Sequence, residues 1–160
     1  SDVYKRQLFL RGNVCRHPIA SRWICHSPAM RELTWQQFDQ VVSALAERFQ
    51  DRSFPGIYGV PRGGLCLAVA LSHALELPLL MAPKASCLIV DEVFETGQTL
   101  AALRQQWPDA AFAVWVSKSP PTWWEAVDVT NSQEWLVFPW ENLQRARADE
   151  QRFRASRGLD

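Results

Sequence analysis

Between Cys87 and Leu100 the sequence reads Cys87-Leu88-Ile89-Val90-Asp91-Glu92-Val93-Phe94-Glu95-Thr96-Gly97-Gln98-Thr99-Leu100. An apolar run ends in two adjacent acids, and a short loop then opens a helix. In an open α/β sheet, ligands bind beyond the carboxyl ends of the strands. A loop with Thr96, Gly97 and Thr99 at a helix amino-terminus presents backbone N–H groups and hydroxyls to a phosphate. Asp91 and Glu92 can hold a sugar's hydroxyls or, with waters, a magnesium ion. Neighbouring residues of one strand point to opposite faces, so the two acids need not share a task. The plain alternative is a strand, a turn and a helix with solvated acids.

Three other places carry chemistry less specifically. Pro61-Arg62-Gly63-Gly64 follows the apolar Ile57-Tyr58-Gly59-Val60, and an arginine flanked by proline and two glycines suits a backbone-led anion site. Lys118 ends the apolar run Phe112–Ser117, and by itself reads as a solvated loop lysine. Trp135 is one of eight tryptophans and by itself reads as core. Trp123, Trp124 and Trp140 are expected to serve packing or oligomer contacts.

The elements that must position these residues are legible from spacing. Thr34 and Gln37 have the separation of a capping box. Phe38, Val41, Val42, Leu45 and Phe49 then mark one helix face ending near Asp51. Ile57–Val60 reads as a short buried strand, and Leu65 to about Leu75 as an apolar helix. Further strands are expected at Leu79–Ala82, Cys87–Asp91, Phe112–Ser117 and Trp135–Phe138, with a helix from about Thr99 to Trp107. The tail after Asn142 reads as an exposed basic helix. Strands alternating with helices argue for an α/β domain with a largely parallel sheet.

Composition narrows the class. A chain of 160 residues, 48% hydrophobic and 21% charged, is globular and has room for one compact domain. No apolar run approaches the ~20 residues needed to span a bilayer, so no membrane partner is expected. Net charge is zero, which argues against a nucleic-acid partner. The charge is unevenly spread. Residues 1–29 carry five basic and one acidic residue, 30–142 seven against thirteen, and 143–160 five against three. An acidic body that handles anions does so through a divalent metal and backbone N–H groups rather than a lysine patch. Three segments are therefore expected: a basic extension at 1–29 that is foreign to the domain or else packs on it as an arm, a domain at 30–142, and a basic tail at 143–160. Cys66 and Cys87 sit in apolar runs and read as buried hydrophobes. Cys15, His17, Cys25 and His26 have no zinc-finger spacing. A reducing cytoplasm is the expected setting.

Taken together, the Cys87–Leu100 pattern resembles the phosphoribosylpyrophosphate (PRPP) signature of the type I phosphoribosyltransferases: an apolar run, two acids, two variable residues, then Asp/Ala-Thr-Gly-x-Thr. Tyr58–Leu65 resembles that family's pyrophosphate loop. Val116-Ser117-Lys118 matches the strand end bearing its purine-contacting lysine, and Glu134–Glu141 its Trp-hydrophobic-x-x-Pro-Trp-Asp/Glu segment. These matches cover roughly Leu33 to Glu141 and are closest to the bacterial xanthine-guanine/hypoxanthine branch.

The resemblance implies a central, mostly parallel sheet flanked by helices, with a small C-terminal hood. It implies transfer of a 5-phosphoribosyl group from PRPP to an oxopurine, with release of pyrophosphate. Asp91 and Glu92 would hold ribose and Mg2+, Glu95 to Thr99 (with Thr96, Gly97 and Gln98) the 5′-phosphate, and Arg62, Gly63 and Gly64 the pyrophosphate. Glu95 would handle the purine proton, and Lys118, Trp135 and Leu136 would bind the base. PRPP and a purine base or nucleoside monophosphate are the implied partners, and a homo-oligomer the implied state. The family's loop also implies a cis peptide bond between Pro61 and Arg62.

Two departures stand out. Glu95 replaces the branch's aspartate, shifting the carboxylate by roughly 1.5 Å. Only Pro83-Lys84-Ala85-Ser86 separate Ala82 from Cys87, where the family has a long loop that closes over PRPP. The site is therefore expected to be open to solvent. A PRPP- or nucleotide-binding regulatory protein without turnover, and a transferase acting on a non-purine acceptor, are the competing readings.

Overall fold

The computed structural model of the chain describes residues 30–156. The expectations for residues 1–29, including those on Cys15, His17, Cys25 and His26, lie outside the described residues.

The chain opens with β1 (Met30–Glu32) and turns at Thr34 into α1 (Trp35–Phe49). The capping box is formed in both directions: Thr34 Oγ1 accepts from Gln37 N at 3.2 Å, and Gln37 Oε1 accepts from Thr34 N at 2.8 Å. Phe38, Val41, Leu45 and Phe49 are its buried face, each worth about 1.5–3 kcal/mol on burial. Then follow β2 (Ile57–Gly59), α2 (Gly64–Ala74), β3 (Leu88–Phe94), α3 (Gln98–Gln106), β4 (Ala111–Ser117), β5 (Glu125–Val129), β6 (Trp135–Val137) and α4 (Leu143–Ser156).

The main sheet runs β2-β3-β4-β5 and is parallel throughout. Period-two alternation along β3 divides the core. Leu88 and Val90 face α1 and α2, whereas Cys87 and Ile89 face Leu100, Phe112 and Trp124. The link from β4 to β5 is only residues 118–124 and contains no helix. Its tryptophans cover that face of the sheet instead: Trp124 stacks on Phe94 at 3.8 Å and Trp123 meets Phe112 edge-on at 5.3 Å. Trp123 and Trp124 are thus packing residues, and so is Trp140, which stacks on Phe138. A second, two-stranded parallel sheet pairs β1 with β6, so the smaller unit draws a strand from the amino-terminal side as well. Cys87 is buried, but Cys66 is only half-buried.

The strand expected at Leu79–Ala82 shrinks to one bridge, Leu79 to Ile57. The reason lies in the four-residue connection that follows. Ile57, the first residue of β2, is flanked by Leu79 on one side and Leu88 on the other. The chain therefore turns back at the amino edge of the sheet, in a tight turn closed by Cys87 N on Lys84 O. It never reaches the carboxyl edge, where β2 and β3 run out.

Candidate active site

At the carboxyl edge of the sheet, β2 passes through Val60-Pro61-Arg62-Gly63 into α2. Val60 N donates to Val90 O at 2.9 Å, extending the β2–β3 ladder, and Gly64 N closes the turn on Val60 O. The Pro61–Arg62 peptide bond is cis, as expected. The turn lies directly on the acids. A Cβ at Gly63 would stand 2.1 Å from the Glu92 carboxylate, and one at Gly64 would stand 2.6 Å from Val90 O. Gly64 is buried beneath the turn. Its place is set by this close approach to β3.

Asp91 and Glu92 are neighbours in space as well as sequence. Asp91 Oδ1 accepts from Glu92 N at 2.9 Å, while the buried Glu92 Oε2 has no hydrogen-bond partner. Burial first, and then the adjoining Glu92, push the Asp91 carboxyl up to about 9. Asp91 therefore carries its proton at neutral pH in the free protein. A group raised in this way favours the folded state fully below its ordinary value near 3.9. That contribution is lost as the pH climbs towards 9. Thermal unfolding should accordingly show the wild type losing stability from pH 5 to 9, and Asp91→Asn losing less. At pH 8 the variant should melt higher than the wild type.

β3 continues into the loop Glu95-Thr96-Gly97 and then α3. Gly97 caps α3 with φ +72°, and no side chain satisfies the helix's first N–H groups. An added Cβ there would lie 2.2 Å from the Phe94 ring. Gly97→Ala combines a disfavoured backbone region with a clash, so a loss of about 1–3 kcal/mol is expected in urea unfolding.

Asp91, Glu92, Glu95, Thr96, Gly97, Gln98 and Thr99 line one cleft of about 320 Å3. Arg62 and Gly63 line its neighbour of about 460 Å3, with Trp140, Glu141 and Arg145. Glu92 borders both. Glu141 accepts from Phe138 N at 2.8 Å, and burial holds its carboxyl above the ordinary range.

Lys118 is no solvated loop lysine. Its side chain is 11% exposed, its Nζ meets Glu95 Oε1 at 2.7 Å, and it also donates to Glu134 O at 3.1 Å. That last bond ties the end of β4 to the residue before Trp135. Alternation along β6 separates Trp135 from Leu136. Leu136 is buried in the core with Phe138 and Leu33, whereas the Trp135 ring lies 5.5 Å from that of Phe153 on α4. Trp135 Nε1 is buried without a hydrogen-bond partner.

Sequence reasoning missed Phe153, which lines the first cleft, and Arg145, which lines the second. The available signal was the spacing of Ala146, Glu150 and Phe153 along one face of the expected tail helix.

No family model matches the chain. It is similar to the xanthine-guanine phosphoribosyltransferase of Chromohalobacter salexigens, at 27% identity over 68% of this chain and 82% of that protein. The enzyme of the same name from Nitratidesulfovibrio vulgaris is 25% identical, over 69% and 83%. Among solved structures, the purine phosphoribosyltransferase of Pyrococcus horikoshii superposes with a TM-score of 0.62 at 28% identity, covering 71% of this chain and 95% of that one. With the parallel sheet and the acid-to-loop segment in one place, the chain has the fold of the type I phosphoribosyltransferases and is similar in sequence to bacterial xanthine-guanine enzymes of that group.

Proposed function

We propose that the chain transfers a 5-phosphoribosyl group from PRPP to an oxopurine base. The bond from ribose C1′ to pyrophosphate oxygen breaks as the bond from C1′ to a purine nitrogen forms. The observation that carries this reading is the convergence of the Asp91–Glu92 pair, the Glu95–Thr99 loop and the Lys118–Glu95 ion pair on the carboxyl edge of one sheet.

The roles follow from chemistry. Backbone N–H groups at the uncapped start of α3, with the Thr96 and Thr99 hydroxyls, suit a 5′-phosphate. Arg62 and the Gly63 backbone suit pyrophosphate. Lys118 has donors and no acceptor, so it can donate to a purine 6-oxygen but not pair with a 6-amino group. Glu95, released from Lys118 by that exchange, can take the proton that the base nitrogen gives up. Trp135 supplies a stacking face.

The acid pair fits a magnesium ion. Glu92 Oε2 is buried and orphaned, and a cation would supply its missing partner. Magnesium takes one or two carboxylates and draws its other ligands from substrate and water. When bound there, magnesium would offset the charge of the leaving pyrophosphate.

A cytoplasmic setting belongs to the same reading, supported by the free thiols of Cys66 and Cys87. Among the described residues no helix is long and apolar enough to cross a membrane. A homo-oligomer belongs to it too, supported by Leu65 and Val69, exposed one turn apart on α2.

One observation favours a second reading, a binding protein without turnover. The Pro83–Ser86 connection stays at the amino edge of the sheet and cannot shield the site from water. Titration calorimetry tests what both readings share. PRPP should bind with magnesium and bind much more weakly without it. If neither PRPP nor a nucleoside monophosphate binds at millimolar concentration, the assignment of the site is wrong.

A further inference from the structure

With the Pro83–Ser86 connection confined to the far edge of the sheet, α4 is the element that reaches the cleft. Its inward residues are Ala146, Glu150 and Phe153, spaced as neighbours on one helix face. Ala146 and Glu150 are buried and Phe153 is half-buried. The apolar area of this face is one methyl and one ring. Phe153 is the residue through which the helix meets the first cleft. It lines the same cleft as Asp91, Glu95 and Thr99, and its ring stands 5.5 Å from that of Trp135 at an interplanar angle of 59°.

Resting on the reading of Trp135 as the stacking residue, we infer that Phe153 occupies the base subsite of the free protein, and that α4 withdraws when a purine binds. A planar base held between two rings needs about 7 Å from ring to ring, twice an ordinary carbon–carbon contact. The observed separation and tilt leave no such gap, so Phe153 cannot be the second wall of a sandwich around the base. It has to leave. The polar edge of the subsite is closed in the same manner, since Lys118 is engaged by Glu95 and Glu134 O. A ligand that enters must therefore be both planar, to replace Phe153 on Trp135, and a 6-position acceptor, to replace Glu95 on Lys118. PRPP alone meets neither condition and should leave α4 where it is. The docked helix lowers apparent base affinity by the fraction of time the subsite is free.

Hydrogen exchange on the full chain reads the helix and the site at once. Guanosine monophosphate should protect residues 95–99 and speed exchange across 146–156, whereas PRPP with magnesium should protect 95–99 and leave 146–156 unchanged. In calorimetry, Phe153→Ala should bind guanosine monophosphate more tightly, by up to about tenfold if the ring is docked nine-tenths of the time. If the nucleotide protects 95–99 but 146–156 is unchanged or slowed, or if Phe153→Ala binds equally or more weakly, the displacement of Phe153 is overturned while the purine reading stands. If the nucleotide leaves 95–99 unprotected, the purine reading fails and takes the displacement with it.

Discussion

Replacing Lys118 with alanine should erase the discrimination between guanine and adenine nucleotides. Lys118 is nearly enclosed, and its donors are held by Glu95 Oε1 and Glu134 O. A 6-oxo group substitutes for the carboxylate as an acceptor. A 6-amino group faces the ammonium with another donor and leaves both unsatisfied, an arrangement that costs about 1–3 kcal/mol per buried group. Sites built on such a contact reject the wrong partner by factors on the order of 100 or more. Competition binding should show that preference in the wild type and near-equal affinities in Lys118→Ala. Trp135→Ala should weaken both nucleotides alike, by roughly 1–3 kcal/mol, because a stacking face does not read the ring's edge. Equal wild-type affinity for the two nucleotides would remove Lys118 from base recognition.

The largest loss of stability is expected at Trp115. It is fully buried in the middle of β4 and packs against Phe38, Phe138 and Trp140 at centroid distances of 5.8, 5.3 and 6.2 Å. Its Nε1 donates to Asp128 Oδ2 at 3.1 Å, joining β4 to β5. Trp115→Ala removes the hub of this cluster and leaves the carboxylate without that donor. A cost of about 3–5 kcal/mol follows from the lost side chain, against a total of 5–15 kcal/mol typical of a whole domain. Urea unfolding should place the midpoint far below that of the wild type. Trp115→Phe, which keeps a ring and drops the hydrogen bond, should lose only part of it.

What the sequence makes legible is local. The capping box at Thr34 and Gln37, the four-residue rhythm of α1, and the apolar run into Asp91 and Glu92 all lie within a few residues of their partners. They appear in the structure with boundaries shifted by no more than a few residues. What it conceals is set by pairing between distant segments. β1 and β6 are three residues each and exist because they pair across a hundred residues of chain. β5, Glu-Ala-Val-Asp-Val, has no clean alternation because it is an edge strand with only Ala126 buried. The strand expected at Leu79–Ala82 had suitable residues but no room, since β3 must begin at Leu88. Of the site, the residue types were readable and their company was not. Lys118 and Glu95 are 23 positions apart and become an ion pair only when β3 and β4 lie side by side. Phe153 sits on a helix that reads as solvated, and nothing local in the sequence directs it to Trp135.

Base-dependent release of pyrophosphate tests the central claim most directly. Initial rates with PRPP and magnesium should rise above the base-free rate on adding guanine, hypoxanthine or xanthine, and stay at that rate with adenine. The base-free rate itself should be measurable, since the connection after Ala82 leaves the site open to water. Pyrophosphate release that no oxopurine stimulates, in a protein that binds PRPP with magnesium, would contradict the account.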